Sequence, residues 1–246
     1  MPDLVVRPRT YHLLVMVSGL FLGAALILTT ASAVDQPEPA QKRFLVVIDP
    51  AHGGSDLGSR FSATSNEKDI TLAFARRLRN ELQAQNIPAR LLRDSDVQLT
   101  TEQRAIAANT AQPAIFISIH AGLPSNGVRV FTALLQEKVS GAKNGLFVPW
   151  ETAQAVSLER SREIAAKLVN EFRRNGIAAS VQSAPLSPLN SVAAPAIALE
   201  LATNETRESK AGKSADELIK AEVQKSLVKV MASVIAAQRP PAESPR

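Results

Sequence analysis

Three short, nearly unbroken apolar runs constrain this chain most: Phe44-Leu-Val-Val-Ile-Asp49, Ala114-Ile-Phe-Ile-Ser-Ile119 and Ala196-Ile-Ala-Leu-Glu-Leu201. Each is too short for a helix and lacks the strict alternation of a half-exposed strand, so each reads as a strand buried on both faces. Helical periodicity fills the spaces between them. Ile70, Phe74, Leu78 and Leu82 recur every four residues and predict a helix over 69–85. Thr100 with Gln103 forms a capping box for a short helix to about residue 109. Ile164, Leu168 and Phe172 mark a long helix over 152–175, with Gly176 as its stop. Ser214 and Glu217 open a last helix running to 237. Further strands are expected at 87–92, 127–135 and 177–181, with loops at 136–150 and 184–195. Strand and helix alternate, which predicts an α/β domain: three layers, a largely parallel six-stranded sheet, helices on both faces.

Composition narrows the function. The 246 residues are 45% hydrophobic and 21% charged, and removing a leader leaves roughly 200, the size of one domain with one core. The formal charge of +5 is mild and dispersed, and only 8 Phe, 1 Trp and 1 Tyr are available for stacking. That argues against nucleic acid as a partner. With no cysteine, the chain has no disulfide framework, thiol nucleophile or thiolate ligand, so any zinc must be bound through nitrogen and oxygen.

The N-terminus has the layout of a secretory signal. Arg7 and Arg9 precede an apolar stretch over 13–28, and Ala31-Ser-Ala33 follows as a small-residue cleavage pattern. Residues 1–33 are therefore expected to be a signal peptide or an N-terminal membrane anchor, with 34–43 a linker, 44–237 the working domain and 238–246 a disordered tail. Either form of the leader places the domain outside the cytoplasm, in the periplasm or cell envelope, anchored through residues 13–31 if uncleaved.

Two of the three histidines follow apolar strands: His52 lies in Asp49-Pro-Ala-His-Gly-Gly54, and His120 in Ser118-Ile-His-Ala121. The third, His12, is in the leader. In open α/β sheets sites collect at the carboxyl ends of strands. His52, His120 and Glu200 lie there, and Glu67 stands at the mouth of the first helix. Two imidazoles and a carboxylate are ligand types of a catalytic zinc with one open position. Singly, each residue has an ordinary structural role: a turn histidine, a strand cap, an acid complementing a helix dipole. Glu200 is harder to explain that way, because a carboxylate inside a buried strand is costly without a cation or donor.

The blocks Val47-Ile-Asp-Pro-Ala-His-Gly-Gly-Ser-Asp56, Asn66-Glu-Lys-Asp69, Leu92-Arg-Asp-Ser-Asp96, Arg104 with Asn109, Ser118-Ile-His-Ala121 and Pro195-Ala-Ile-Ala-Leu-Glu200 resemble, in order and spacing, the zinc-dependent N-acetylmuramoyl-L-alanine amidases of the Amidase_3 type. The resemblance implies zinc bound by His52, Glu67 and His120, and Glu200 as catalytic base. It implies peptidoglycan as partner and the bond between N-acetylmuramic acid and L-alanine as the one cut. An activator protein is a further expected partner. Asp49 is a candidate for orienting His52, or a plain strand-end carboxylate. Arg93 and Arg104 are candidates for holding substrate carboxylates or for bracing the fold. The chain departs from the family at Ala51, where glycine is usual, in Leu201-Ala-Thr-Asn204, and in the segment 136–150. Two alternatives stand beside this reading: another zinc peptidase or amidohydrolase acting on wall peptides, and a non-catalytic wall-binding scaffold.

Overall fold

A computed structural model describes residues 44–61, 64–122, 127–135, 150–201 and 221–241. The expected leader, the linker, most of the segment 136–150, the Ser214/Glu217 cap and residues 242–246 lie outside the described residues. In chain order the domain contains β1 (Val46–Pro50), α1 (Glu67–Ala84), β2 (Ala89–Leu91), α2 (Thr101–Ala111), β3 (Ile115–Ala121), β4 (Val128–Ala133), α3 (Leu158–Arg174), β5 (Ala179–Ala184), β6 (Ala196–Leu201) and α4 (Ala221–Ala236). Short 3-10 turns at Trp150–Val156 and Leu189–Ser191 complete it. Among the described residues no helix is long and apolar enough to cross a membrane.

The six strands form one sheet in the order β2-β1-β3-β6-β4-β5. Pairings are parallel except at the β4–β6 seam, as expected of a largely parallel sheet. The reversal at that seam carries no signature in the sequence. Alternation along the strands then assigns two faces. Ile48, Ile117, Leu199 and Val130 point one way and are sealed by the apolar stripes of α1, α3 and α4. Val47, Phe116, Ala196 and Ala198 point the other way, towards Ala108 of α2 and Leu189 and Val192 of the second 3-10 turn. The second face is covered by smaller elements, and Asp49, Ser118, His120, Glu200 and Arg129 belong to it by the same alternation. Among the described residues that cover leaves room for a cleft.

Most local expectations are met. α1 begins at Glu67, two residues earlier than expected, and buries Ile70, Phe74, Leu78 and Leu82. The Thr100–Gln103 capping box is present on α2, with both reciprocal bonds made. Gly176, with φ 73°, follows the end of α3.

Three expectations are corrected. The helix expected from residue 152 is a 3-10 turn until Val156, and α3 starts only at Leu158. Ser157 breaks the run because its Oγ donates to the Ala193 carbonyl at 2.6 Å, while Gln154 donates to the Ala194 carbonyl at 2.9 Å. β5 runs to Ala184 instead of 181 because it is an edge strand, where Ser180, Gln182 and Ser183 are acceptable; Ser183 Oγ meets Thr132 Oγ1 at 3.0 Å. Gln238 and Arg239, expected in the tail, are tied to the domain. Gln238 Oε1 accepts from Arg160 and Lys167, and Arg239 donates to the Asn86 carbonyl.

Candidate metal centre and active site

β1 delivers the chain to a tight turn in which the histidine itself takes left-handed backbone geometry. His52 has φ 62°, and Gly53 and Gly54 follow at 132° and 60°. Ala51, the departure from the family pattern, is not among the positive-φ residues, so its methyl group brings no backbone strain. Gly53 and Asp56 exchange backbone hydrogen bonds at 2.8 and 3.1 Å. This closure folds the Asp56 carboxylate back under the ring, with His52 Nδ1 2.9 Å from both oxygens.

The other ring nitrogen of His52 faces Glu67: Nε2 lies 3.1 Å from Oε2. His120 Nδ1 lies 3.2 Å from Oε1 of the same carboxylate. Glu67 is 4% exposed and also accepts the backbone N–H groups of Ser59 at 3.0 Å and Ala121 at 3.1 Å. One ligand atom from each of His52, Glu67 and His120 falls within 4.8 Å of the others. The two rings stand perpendicular, with centroids 5.7 Å apart. Two imidazoles and a buried carboxylate converging on one point suit a divalent cation that accepts nitrogen and oxygen, zinc foremost. His52 is also equipped as metal-binding histidines usually are, its far nitrogen paired with a carboxylate. Gly58 makes the convergence possible, since a Cβ there would sit 2.6 Å from the His52 ring and 2.7 Å from the Glu67 Cβ.

The electrostatics fit a cation site. Burial pushes the Glu67 carboxyl up, but hydrogen bonds from His120, His52 and the Ser59 amide outweigh it and hold the group well below the usual carboxylate range. Glu67 is thus an anion at any working pH. The hydrogen bond to Glu67 raises the His52 pKa, helped by Asp56 and opposed by burial.

Three further candidates are placed differently from the metal set. Arg93 and Arg104 are buried, at 2% and 6% exposure, and brace the histidine turn from below. Arg104 donates to the carbonyls of Pro50 and His52 at 2.9 and 2.8 Å. Arg93 donates to those of Pro50, Ala51 and Lys68 at 3.0, 2.9 and 2.8 Å. Neither lines the cleft. Asp49 does not touch the His52 ring. Its carboxylate pairs with Arg104 and accepts from Ser118, so it reaches the histidine only through the arginine and its carbonyl contact. The side chain that orients the ring is Asp56. It lies inside a block that resembles the family, and its signal was the four-residue spacing across two glycines.

Glu200 stands in register beside His120 on the neighbouring strand. It lines the same cleft of ≈ 320 Å³ as His52, Glu67 and His120, and Phe131 and Leu186 supply an apolar wall. The cation that makes this carboxylate tolerable is Arg129, whose Nη2 lies 2.7 Å from Oε1. Nothing in the sequence pointed to Arg129, because its position opposite Glu200 depends on the direction of β4.

Fold and site together define a hydrolase-like α/β domain with a candidate metal centre. Residues 46–229 match the Amidase_3 family model, N-acetylmuramoyl-L-alanine amidase, and the chain belongs to that family. The N-acetylmuramoyl-L-alanine amidase AmiA of Escherichia coli K12 is 34% identical over 97 residues, a stretch covering 39% of this chain and 34% of that protein. The chain thus matches about a third of that relative's length. Among solved structures, the catalytic domain of CwlV, an N-acetylmuramoyl-L-alanine amidase from Bacillus (Paenibacillus) polymyxa, superposes with TM-score 0.59 at 21% identity, covering 79% of this chain and 97% of that one. The CwlD amidase of Clostridioides difficile, solved in complex with the GerS lipoprotein, gives TM-score 0.56 at 17% identity over 79% and 98% of the two chains. These structural matches establish the fold.

Proposed function

We propose that this protein hydrolyses the amide bond between N-acetylmuramic acid and the L-alanine of peptidoglycan stem peptides, using one zinc ion held by His52, Glu67 and His120. The observation that carries the reading is the shared cleft: three convergent ligands and a second carboxylate, Glu200, on the open face of an Amidase_3 domain. Zinc held by that donor set would supply a Lewis acid for the amide carbonyl and would bring the pKa of water towards neutrality.

The protein's own groups do the rest. Glu67 stays anionic because its hydrogen bonds favour the charged form. Asp56 accepts from His52 Nδ1 and so presents Nε2 to the metal. Glu200 takes the proton of the attacking water and returns it to the departing alanine nitrogen, the work of a general base that becomes a general acid. Phe131 and Leu186 provide a dry wall against which the apolar parts of the substrate can rest. A protein partner belongs to the proposal, supported by the lipoprotein complex of the CwlD neighbour. So does export through residues 1–33, since the proposed substrate lies outside the cytoplasm.

Mass spectrometry of peptidoglycan digested by the purified protein tests the bond. Free stem peptides beginning with L-alanine, with intact glycan strands, are expected. Cuts within the peptide would move the assignment to a zinc peptidase, and binding without products would make the domain a scaffold. Glu200→Gln should reduce turnover by at least about 10²-fold with zinc content and melting temperature retained. Export is checked by N-terminal sequencing of the envelope fraction: a mature chain beginning near Val34, or an intact membrane-bound one, supports it, and a soluble cytoplasmic product defeats it.

A further inference from the structure

On the open face of the sheet one row of side chains crosses three strands: His120 on β3, Glu200 on β6 and Arg129 on β4, each in register with the next. The β6–β4 seam is antiparallel, so Arg129 and Glu200 stand directly opposite, the arrangement in which side chains of a sheet interact most strongly. Glu200 Oε1 is enclosed from two sides. Arg129 Nη2 lies 2.7 Å away, and the Gly122 backbone forms the other side, where an added Cβ would fall 1.5 Å from the same oxygen. Gly122 cannot easily withdraw, because its N–H donates to the Leu201 carbonyl at 3.0 Å. Arg129 itself is 30% exposed, and among the described residues its buried Nε has no hydrogen-bond partner.

We infer that Arg129 is a positioning residue for the general base: its ion pair to Oε1 sets the orientation in which the Glu200 carboxylate meets the substrate. The inference rests on the proposed role of Glu200. A half-exposed cross-strand ion pair adds little to the stability of a sheet, so fold maintenance gives a weak account of the pair. Geometry gives a strong one. Proton transfer needs the base within hydrogen-bond reach of the reacting water, and a displacement of about 1 Å in a catalytic group costs on the order of 10²-fold in rate. Glu200 sits on a strand whose preceding residues Ala196, Ile197, Ala198 and Leu199 are apolar, so its own strand supplies no polar neighbour to hold the carboxylate.

The test is a double-mutant cycle on the full-length, zinc-loaded protein with a defined muropeptide, with zinc content and thermal melting recorded for each variant. Arg129→Met should lower kcat by about 10²-fold, with KM, zinc content and melting temperature unchanged. Arg129→Lys, which keeps a cation opposite Oε1, should recover most of that loss. In a Glu200→Gln background, Arg129→Met should add nothing, because the group it positions no longer acts as a base. A rise in KM at constant kcat would overturn the inference and make Arg129 a substrate contact. Losses that multiply across the cycle would overturn it as well, and so would a fall in melting temperature that Arg129→Lys does not rescue. Failure of the underlying reading is separate: Glu200→Gln at wild-type kcat removes the base whatever Arg129 does.

Discussion

The two halves of the candidate site are held in opposite ways. The turn after β1 is braced from every side. Arg93 and Arg104 hold its carbonyls, Thr71 donates to the Ala51 carbonyl, and Lys68 and Asp96 clasp Gly54. The β6–β4 seam has one ion pair and one glycine around Glu200. Ligands must hold their geometry against a cation that binds in competition with protons, and the buried network provides that rigidity. A base must exchange protons with water, and a partly exposed carboxylate with one fixed oxygen is suited to that. Rigidity is concentrated where the metal would sit, and access where the proton would move.

The sharpest break in this comparison comes from the ligands. His120→Ala removes a ring from the metal set, and zinc content and activity should fall together, measured by atomic absorption and muropeptide release on one preparation. Full zinc with normal turnover would put the metal elsewhere. Arg104→Met attacks the bracing. It leaves Asp49, 1% exposed, without its cation, and breaking a buried pair in this way costs about 3–5 kcal/mol. Denaturant unfolding should read that loss; a change below about 1 kcal/mol, the range of exposed pairs, would mean the turn is not braced as described.

Asp56→Ala should be milder. The fold stays, and zinc affinity drops by about 10–100-fold, the usual effect of removing the carboxylate behind a metal-binding histidine. Unchanged affinity in a competition titration would show that Glu67 alone orients His52.

The smallest effect is a pH dependence in the metal-free protein. Glu67 has a lowered pKa, so its stabilisation is present above the ordinary glutamate value and is lost as pH falls below that range. His52 has a raised pKa, so its contribution is complete below the ordinary histidine value and is lost as pH rises through the raised one. Zinc needs His52 unprotonated, so zinc affinity should weaken as pH falls through the same raised value. A melting curve and a zinc affinity that stay flat between about pH 5 and 8, the range in which histidine titrates, would contradict both statements about His52.

How much of this could be read beforehand depended on where the information lies. β6 was legible to the residue, Ala196–Leu201, because a buried strand bounded by a proline writes its limits in local hydrophobicity. His52, Glu67, His120 and Glu200 stood out because their chemistry clashes with apolar or turn surroundings. The edge strand β5 was cut short because an exposed strand edge tolerates the serines and glutamine that elsewhere mark a loop. The 3-10 turn before α3 was missed because contacts to Ala193 and Ala194, distant in sequence, decide it. Arg129 was invisible for the deepest reason: its neighbour is fixed by strand direction, which no local pattern encodes.

The place of β6 in the sheet has a consequence for how the working molecule comes into being. It lies between β3 and β4 although it is the last of the described strands in chain order. Among the described strands, only the pairings of β6 join the block β2-β1-β3 to the block β4-β5. The strand that unites these blocks is also the one that carries Glu200. Closure of the sheet and arrival of the proposed base are therefore one event in synthesis, and a product ending before β6 lacks both the joining strand and Glu200; α4, which seals one face, follows later.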